Sequence, residues 1–155
     1  MADTRLPENQ HPIEFGEAAV QRARDPVLQG VVNELHAALL TGNSSAAAAL
    51  FDVDAVWEDR TTRTLIDGRL AIERYVARAS SRLPYGIGST VRHVVGSVQG
   101  GGYEWIGGPG AAARYGMTAL KLNENRLITW ISPLWDASYA SDATMAALIG
   151  LAIEP

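Results

Sequence analysis

The chain has 155 residues and no cysteine, which excludes a disulfide framework, a thiolate nucleophile and a Cys-ligated zinc site. Its three histidines, His11, His36 and His93, show no ligand spacing, and neither HExxH nor GxSxG occurs, so a metal site and a serine triad have no motif to rest on. Charge is scarce as well. Lys and Arg number 13 against 17 Asp and Glu, for a formal net charge of -4, and no basic cluster is present that could follow a phosphate backbone, so no nucleic acid partner is expected. No apolar run approaches the length of a membrane span, and the opening MADTRLPENQHP lacks the basic start and apolar run of a signal peptide, which sets the expectation of a cytoplasmic protein with no membrane partner. The glycine-rich GGGYEWIGGPG lacks the strand-loop-helix setting of a phosphate cradle and reads as a flexible hairpin.

What the chain does have is apolar bulk: 47% of its residues are hydrophobic, which fits a well-filled globule with one sizeable core and a buried subunit face. Three stretches are expected: a polar arm with a short helix over 1–25, an α+β domain over 26–137, and a tail over 138–155 that caps a pocket or extends a dimer interface. Asp25 reads as an N-cap with Pro26 in the first turn of a helix reaching Leu40, its stripe made of Leu28, Val32, Leu35 and Leu39 and its stop at Thr41-Gly42. Asn43 or Ser44 caps a short Ala-rich helix to Leu50, and Asp67-Gly68 precedes a helix from about Arg69 to Ser81 with Leu70, Ile72, Tyr75, Val76 and Ala79 on its apolar side. The period then changes. Ser89 to Val98, Tyr103 to Ile106, Ala111 to Leu122 and Leu127 to Asp136 read as strands in an antiparallel meander, so a curved antiparallel or mixed sheet should wrap around the N-terminal helices.

The most telling segment is Phe51 to Val76, FDVDAVWEDRTTRTLIDGRLAIERYV. In extended geometry Val53, Ala55, Trp57 and Asp59 share one face, so Asp59 lies in the apolar phase where the strand ends. A carboxylate aimed into an apolar interior is suited to moving protons near neutral pH. The alternative stays open that Asp59 only starts the polar turn formed by Arg60 to Arg63.

The order of elements and the stretch FDVDAVWEDRTTRTLIDGRLAI resemble the nuclear transport factor 2-like superfamily, also called the SnoaL-like or ketosteroid isomerase-like cone fold, over residues 26 to 137. In the bacterial ketosteroid isomerases a Glu-Asp pair ends a strand and a Gly-Arg opens the next helix, which makes Asp59 the counterpart of their base. Their oxyanion-stabilising Tyr and protonated Asp correspond to Leu35 and Thr118, so that particular activity is disfavoured. Limonene epoxide hydrolases of this superfamily use Asp-Arg-Asp on later strands, where Ser132 stands here. Scytalone dehydratase and its relatives carry a pocket His on a strand that STVRHVVGSV resembles, and His93 is the matching position.

Phase supplies the remaining candidates. His93 shares a face with Val91 and Val95 and would point toward Asp59. The superfamily pattern implies that Glu104 faces inward, with Tyr103 and Trp105 on the other side. Arg114 lies in phase with Gly116, Thr118 and Leu120, near a pocket rim, while Trp57 and Trp130 would supply flat walls, Tyr75 a phenol, and Ser132 with Thr118 small polar space. The reading is a small-molecule enzyme of isomerase, cyclase or dehydratase type, with Asp59, His93 and Glu104 catalytic, acting on a hydrophobic, oxygenated, ringed substrate with no cofactor and no metal. A binding protein for a small hydrophobic molecule and an epoxide hydrolase are the alternatives. The last strands are apolar on both phases, Ile128, Trp130 and Leu134 on one and Leu127, Ile131 and Trp135 on the other, so a homodimer is expected.

Overall fold

A computed structural model describes residues 25–153, so His11 and the helix expected over Glu17 to Arg24 lie outside the described residues. Helix α1, Pro26–Thr41, starts where the sequence places its cap: the Asp25 carboxylate accepts from the Val27 and Leu28 amides at 2.9 and 3.1 Å. It ends at Gly42, whose φ of +65° is the left-handed conformation that lets its N–H close on the last carbonyls. Leu28, Val32, Leu35 and Leu39 are all buried. Helix α2, Ser44–Ala48, is capped by Asn43, whose side chain accepts from the Ala46 amide at 3.1 Å.

Strand β1, Phe51–Asp59, turns through residues 60–63 into β2, Thr64–Asp67, a short strand with no counterpart among those expected from sequence. Helix α3, Arg69–Ala79, buries Ile72, Tyr75, Val76 and Ala79, whereas Leu70 is exposed, a correction to the expected apolar side. Strands β3, Thr90–Ser97, β4, Gly100–Ile106, β5, Tyr115–Leu122, and β6, Ile128–Trp135, complete a six-stranded sheet in the order β2-β1-β6-β5-β4-β3. The sheet is mixed, because β1 pairs with β6 in parallel while every other neighbouring pair is antiparallel. Its concave face holds α1 against β3 and β4, and α3 against β1 and β2. Helix α4, Asp142–Ile153, packs on α3 and β2, with the Arg78 guanidinium donating to the Leu151 carbonyl at 3.0 Å.

This topology brings the end of β1, the end of β6, the start of β5, the end of β4 and the start of β3 to one end of the sheet. Asp59 closes β1 there, beside the 80–89 and 107–114 loops and the chain leading into α4.

Register shifts decide which side chains face the interior. The pairing slips between Phe51 and Val56, between Arg92 and Val95, and between Lys121 and Leu122. The slips in β3 and β6 each insert one residue and invert strict alternation beyond it, whereas the one in β1 takes up three extra residues and leaves Phe51, Ala55, Trp57 and Asp59 in one phase. In β1, Phe51, Ala55 and Trp57 are buried but Val53 is exposed, against the expected shared face. In β3 the extra residue sits at His93, so Val91 and Val94 pack on the core and Val95 points out. In β6 the inward set becomes Ile128, Ile131, Pro133 and Trp135, opposite inward Thr118 and Leu120 of β5, and Trp130, Ser132 and Leu134 take the convex face.

Candidate active site

Asp59 is completely buried, and its two carboxylate oxygens have different work. Oδ1 accepts from the Thr61 and Thr62 amides at 2.9 and 3.0 Å, which fixes the turn into β2. Oδ2 accepts from the Tyr85 hydroxyl at 3.0 Å and from the Trp135 indole Nε1–H at 3.2 Å. The turn role considered from sequence is therefore real, and it occupies one oxygen. The other oxygen looks into an aromatic interior, and among the described residues no Lys, Arg or His is ion-paired with it.

Around Oδ2 the rings are closely packed. Trp57 lies 5.9 Å from Phe51, 5.8 Å from Tyr75 and 6.1 Å from Tyr85, and Tyr85 lies 5.4 Å from Trp105. Burial, followed by the neighbouring Tyr75 and Asp59, pushes the Tyr85 phenol well above its ordinary range, so it stays protonated as a donor. Burial likewise raises Tyr75, with a further push from Asp59, and its contact with Tyr85 works the other way. Among the described residues the buried Trp57 indole Nε1–H has no hydrogen-bond partner. It is close enough to the Tyr85 oxygen to ease ionisation there, yet out of hydrogen-bond geometry. An orphaned donor in a dry interior costs about 1–3 kcal/mol, so its presence beside the acid is notable.

Tyr85 reaches this position because its loop is tied down. Gly86 allows the turn: a Cβ there would meet the Ser80 carbonyl oxygen at 2.2 Å. The Ser89 hydroxyl donates to the Gly86 carbonyl at 2.7 Å and lies 2.9 Å from His36 Nε2 of α1. Desolvation lowers the His36 pKa, and the Ser89 backbone, as a hydrogen-bond partner, opposes part of that shift. Ser81, Leu83 and Ile87 of the same loop form one wall of a cavity of about 430 Å³, closed by residues 109–112 and by Thr144, Ala147 and Leu148 of α4. Asp59 does not line that cavity; the Tyr85 segment connects the two.

The structure divides the residues singled out from sequence. Trp57, Tyr75, Thr118 and Leu35 are in the buried interior with Asp59. Thr118 accepts from the Trp105 indole at 3.1 Å, and neighbouring Tyr103 is pushed up to about 12 by burial. His93 is not there: its side chain is 65% exposed, because the extra residue in β3 turns it outward at a φ of +48°. Glu104 is also on the convex side, 3.6 Å from His93, since Tyr103 and Trp105 take the inward phase. Arg114 precedes β5 and lies over the Tyr139 ring at 5.2 Å, outside the interior. Trp130 donates to Glu58 at 3.2 Å and lies under Lys121, and Ser132 accepts from Arg60, both on the convex face beyond the shift in β6. Tyr85 and the inward Trp135 were missed. The only signal for Tyr85 is its place between Pro84 and Gly86, where a buried aromatic would be held by a tight turn.

No family model matches this sequence and no curated protein matches it significantly. Solved structures do. A bacterial protein with a cystatin-like fold from Silicibacter pomeroyi is 16% identical, covering 81% of this chain and 84% of that one, with a TM-score of 0.64. An NTF-2 like protein of unknown function from Burkholderia xenovorans is 16% identical over 78% of this chain and 91% of its own, at a TM-score of 0.60. A Kribbella flavida protein provisionally assigned as a ketosteroid isomerase is 18% identical over 77% and 84%, at 0.55. With helices held in the concavity of a curved, unclosed mixed sheet and neighbours of this kind, the chain has the nuclear transport factor 2-like, or SnoaL-like, cone fold.

Proposed function

We propose that the protein is a cofactor-independent enzyme of isomerase or lyase type that uses Asp59 to move a proton on a hydrophobic, oxygenated, ringed substrate. One observation carries this reading: a buried carboxylate with no ionic partner among the described residues, one of whose oxygens accepts from a phenol and an indole. Interior charges without counter-ions are costly and concentrate at functional sites. The cavity of about 430 Å³ beside the Tyr85 loop is within the range of small-molecule sites and gives a substrate its approach.

In this reading the substrate takes the place of the Tyr85 hydroxyl at Oδ2. Asp59 accepts a proton from a carbon next to a carbonyl and returns it at another carbon, or passes it to a β-hydroxyl, which departs as water as its C–O bond breaks and the carbon–carbon double bond forms. Tyr85, Tyr75 and the Trp57 Nε1–H, unpartnered among the described residues, are the donors available to the oxygen that gains charge. With ring ketones and hydroxyketones as a panel, Asp59→Asn should lower turnover by about a hundredfold or more while the protein remains folded. Equal turnover in the variant removes Asp59 from the chemistry.

A non-catalytic ligand-binding role is the second reading, favoured by a cavity of about 430 Å³ that Asp59 does not line. Recovery of every bound panel compound unchanged would select it. The convex face carries Leu65, Trp130, Leu134 and Met117, and we place the homodimer contact there. Sedimentation as a monomer at micromolar concentration would refute that contact.

A further inference from the structure

The residues that turned away from Asp59 gather elsewhere. On the convex side, where β3, β4 and β5 meet the 107–114 loop, a groove of about 550 Å³ runs from Arg92 and Glu104 across Ile106 and Gly107–Gly110 to Arg114, Tyr115 and Tyr139. Arg92 and Glu104 are direct cross-strand partners, as are Ile106 and Tyr115, so the sheet itself presents these four side chains on one surface.

His93 touches two of these side chains. Its Nε2 lies 3.2 Å from Arg92 Nη2 and 3.6 Å from Glu104 Oε2. A guanidinium can only donate, so in the shorter contact Arg92 donates to Nε2. Glu104 is then opposed by two guanidiniums, Arg92 and Arg114, and the groove carries an excess of one positive charge. Arg114 makes no ion pair among the described residues and is held only over the Tyr139 ring.

The walls add a shape. Two phenols and Ile106 line the groove together with Gly107, Gly108, Pro109 and Gly110, and the first two glycines are closely packed: a Cβ on Gly107 would meet the Ala113 carbonyl at 2.1 Å, and one on Gly108 the Gly88 backbone at 2.9 Å. Aromatic faces favour a planar ring, and guanidinium forks favour a carboxylate. The conformation of His93 points the same way. A left-handed φ on a non-glycine residue is uncommon, and bulges that carry one serve to re-aim a side chain beside a site.

We propose that this groove binds a small planar monoanion of the aromatic-carboxylate class, with Arg114 and Arg92 facing the carboxylate and Tyr115 and Tyr139 the ring. It is separate from the Asp59 cluster and does not depend on the reading given to that cluster. The test is titration of the isotopically labelled full chain with benzoate and, separately, with inorganic phosphate, followed by amide NMR. Benzoate should saturate, moving the amides of Gly107, Gly108, Gly110 and Arg114. Arg114→Gln should weaken it roughly tenfold or more, as loss of a charge-assisted bond does. Arg82→Gln, on the rim of the other cavity, should leave it unchanged. A response that never saturates, equal affinity in Arg114→Gln and Arg92→Gln, or phosphate binding as tightly as benzoate would overturn the proposal.

Discussion

Replacing Asp59 by Asn is the sharpest probe of the interior, because it keeps the side chain's shape and changes only what it can accept. Four donors converge on the native carboxylate, two amides on Oδ1 and the Tyr85 hydroxyl and Trp135 indole on Oδ2. Asn has one carbonyl oxygen. If it stays on the Thr61 and Thr62 amides, its NH2 meets the Trp135 N–H donor to donor, while the Tyr85 hydroxyl can rotate and accept. The indole then loses its partner in a site closed to water, at about 1–3 kcal/mol, and the remaining bonds lose their charge assistance. The opposite rotamer is worse, since it strands two amides. A loss of about 2–3 kcal/mol follows, which moves a urea midpoint down by roughly 1 M. Tyr85→Phe should cost a similar amount in the native background and much less in the Asn background, a coupling of about 1 kcal/mol or more. A change within about 0.5 kcal/mol for Asp59→Asn, the range of ordinary surface substitutions, or strictly additive losses in the double variant, would refute the buried network.

Two further outcomes are expected. His36 has a pKa lowered from 6.5 in the folded protein, so the unfolded chain takes up the proton first; stability is complete above about 6.5 and falls as pH drops below it toward the lowered value. Thermal melts at pH 7.5 and pH 5 should therefore show a larger loss in the native protein than in His36→Gln, which keeps a partner for Ser89 without titrating, and equal losses would contradict this. At His93, whose φ is +48°, Val should destabilise by about 1–2 kcal/mol and Gly should not, as read by urea unfolding. A Val variant as stable as the native protein would show that the bulge is absent.

The interior network and the convex groove show how one device can separate residues that alternation groups together. His93 and Val91 have the same parity, yet one inserted residue sends His93 to Glu104 and brings Val94 inward. The same arithmetic exchanges Trp130 for Trp135, and with it the identity of the indole that reaches Asp59.

The sequence by itself determined whatever depends on local physics. Asp25, Pro26 and Gly42 mark the ends of α1, the Leu28-Val32-Leu35-Leu39 stripe marks its buried face, and the end of β1 places Asp59 in the apolar phase. The tertiary structure alone decided three things: the pairing of Thr64–Asp67 as a strand, the faces beyond each register shift, and the partner of the acid. Each depends on contacts between distant segments. A bulge is set by how one strand accommodates its neighbour, and Tyr85 meets Asp59 only because Gly86 bends tightly against Ser80 and α1 holds Ser89 through His36. Such closures cost chain entropy that only the packed core offsets, so no window of sequence displays them.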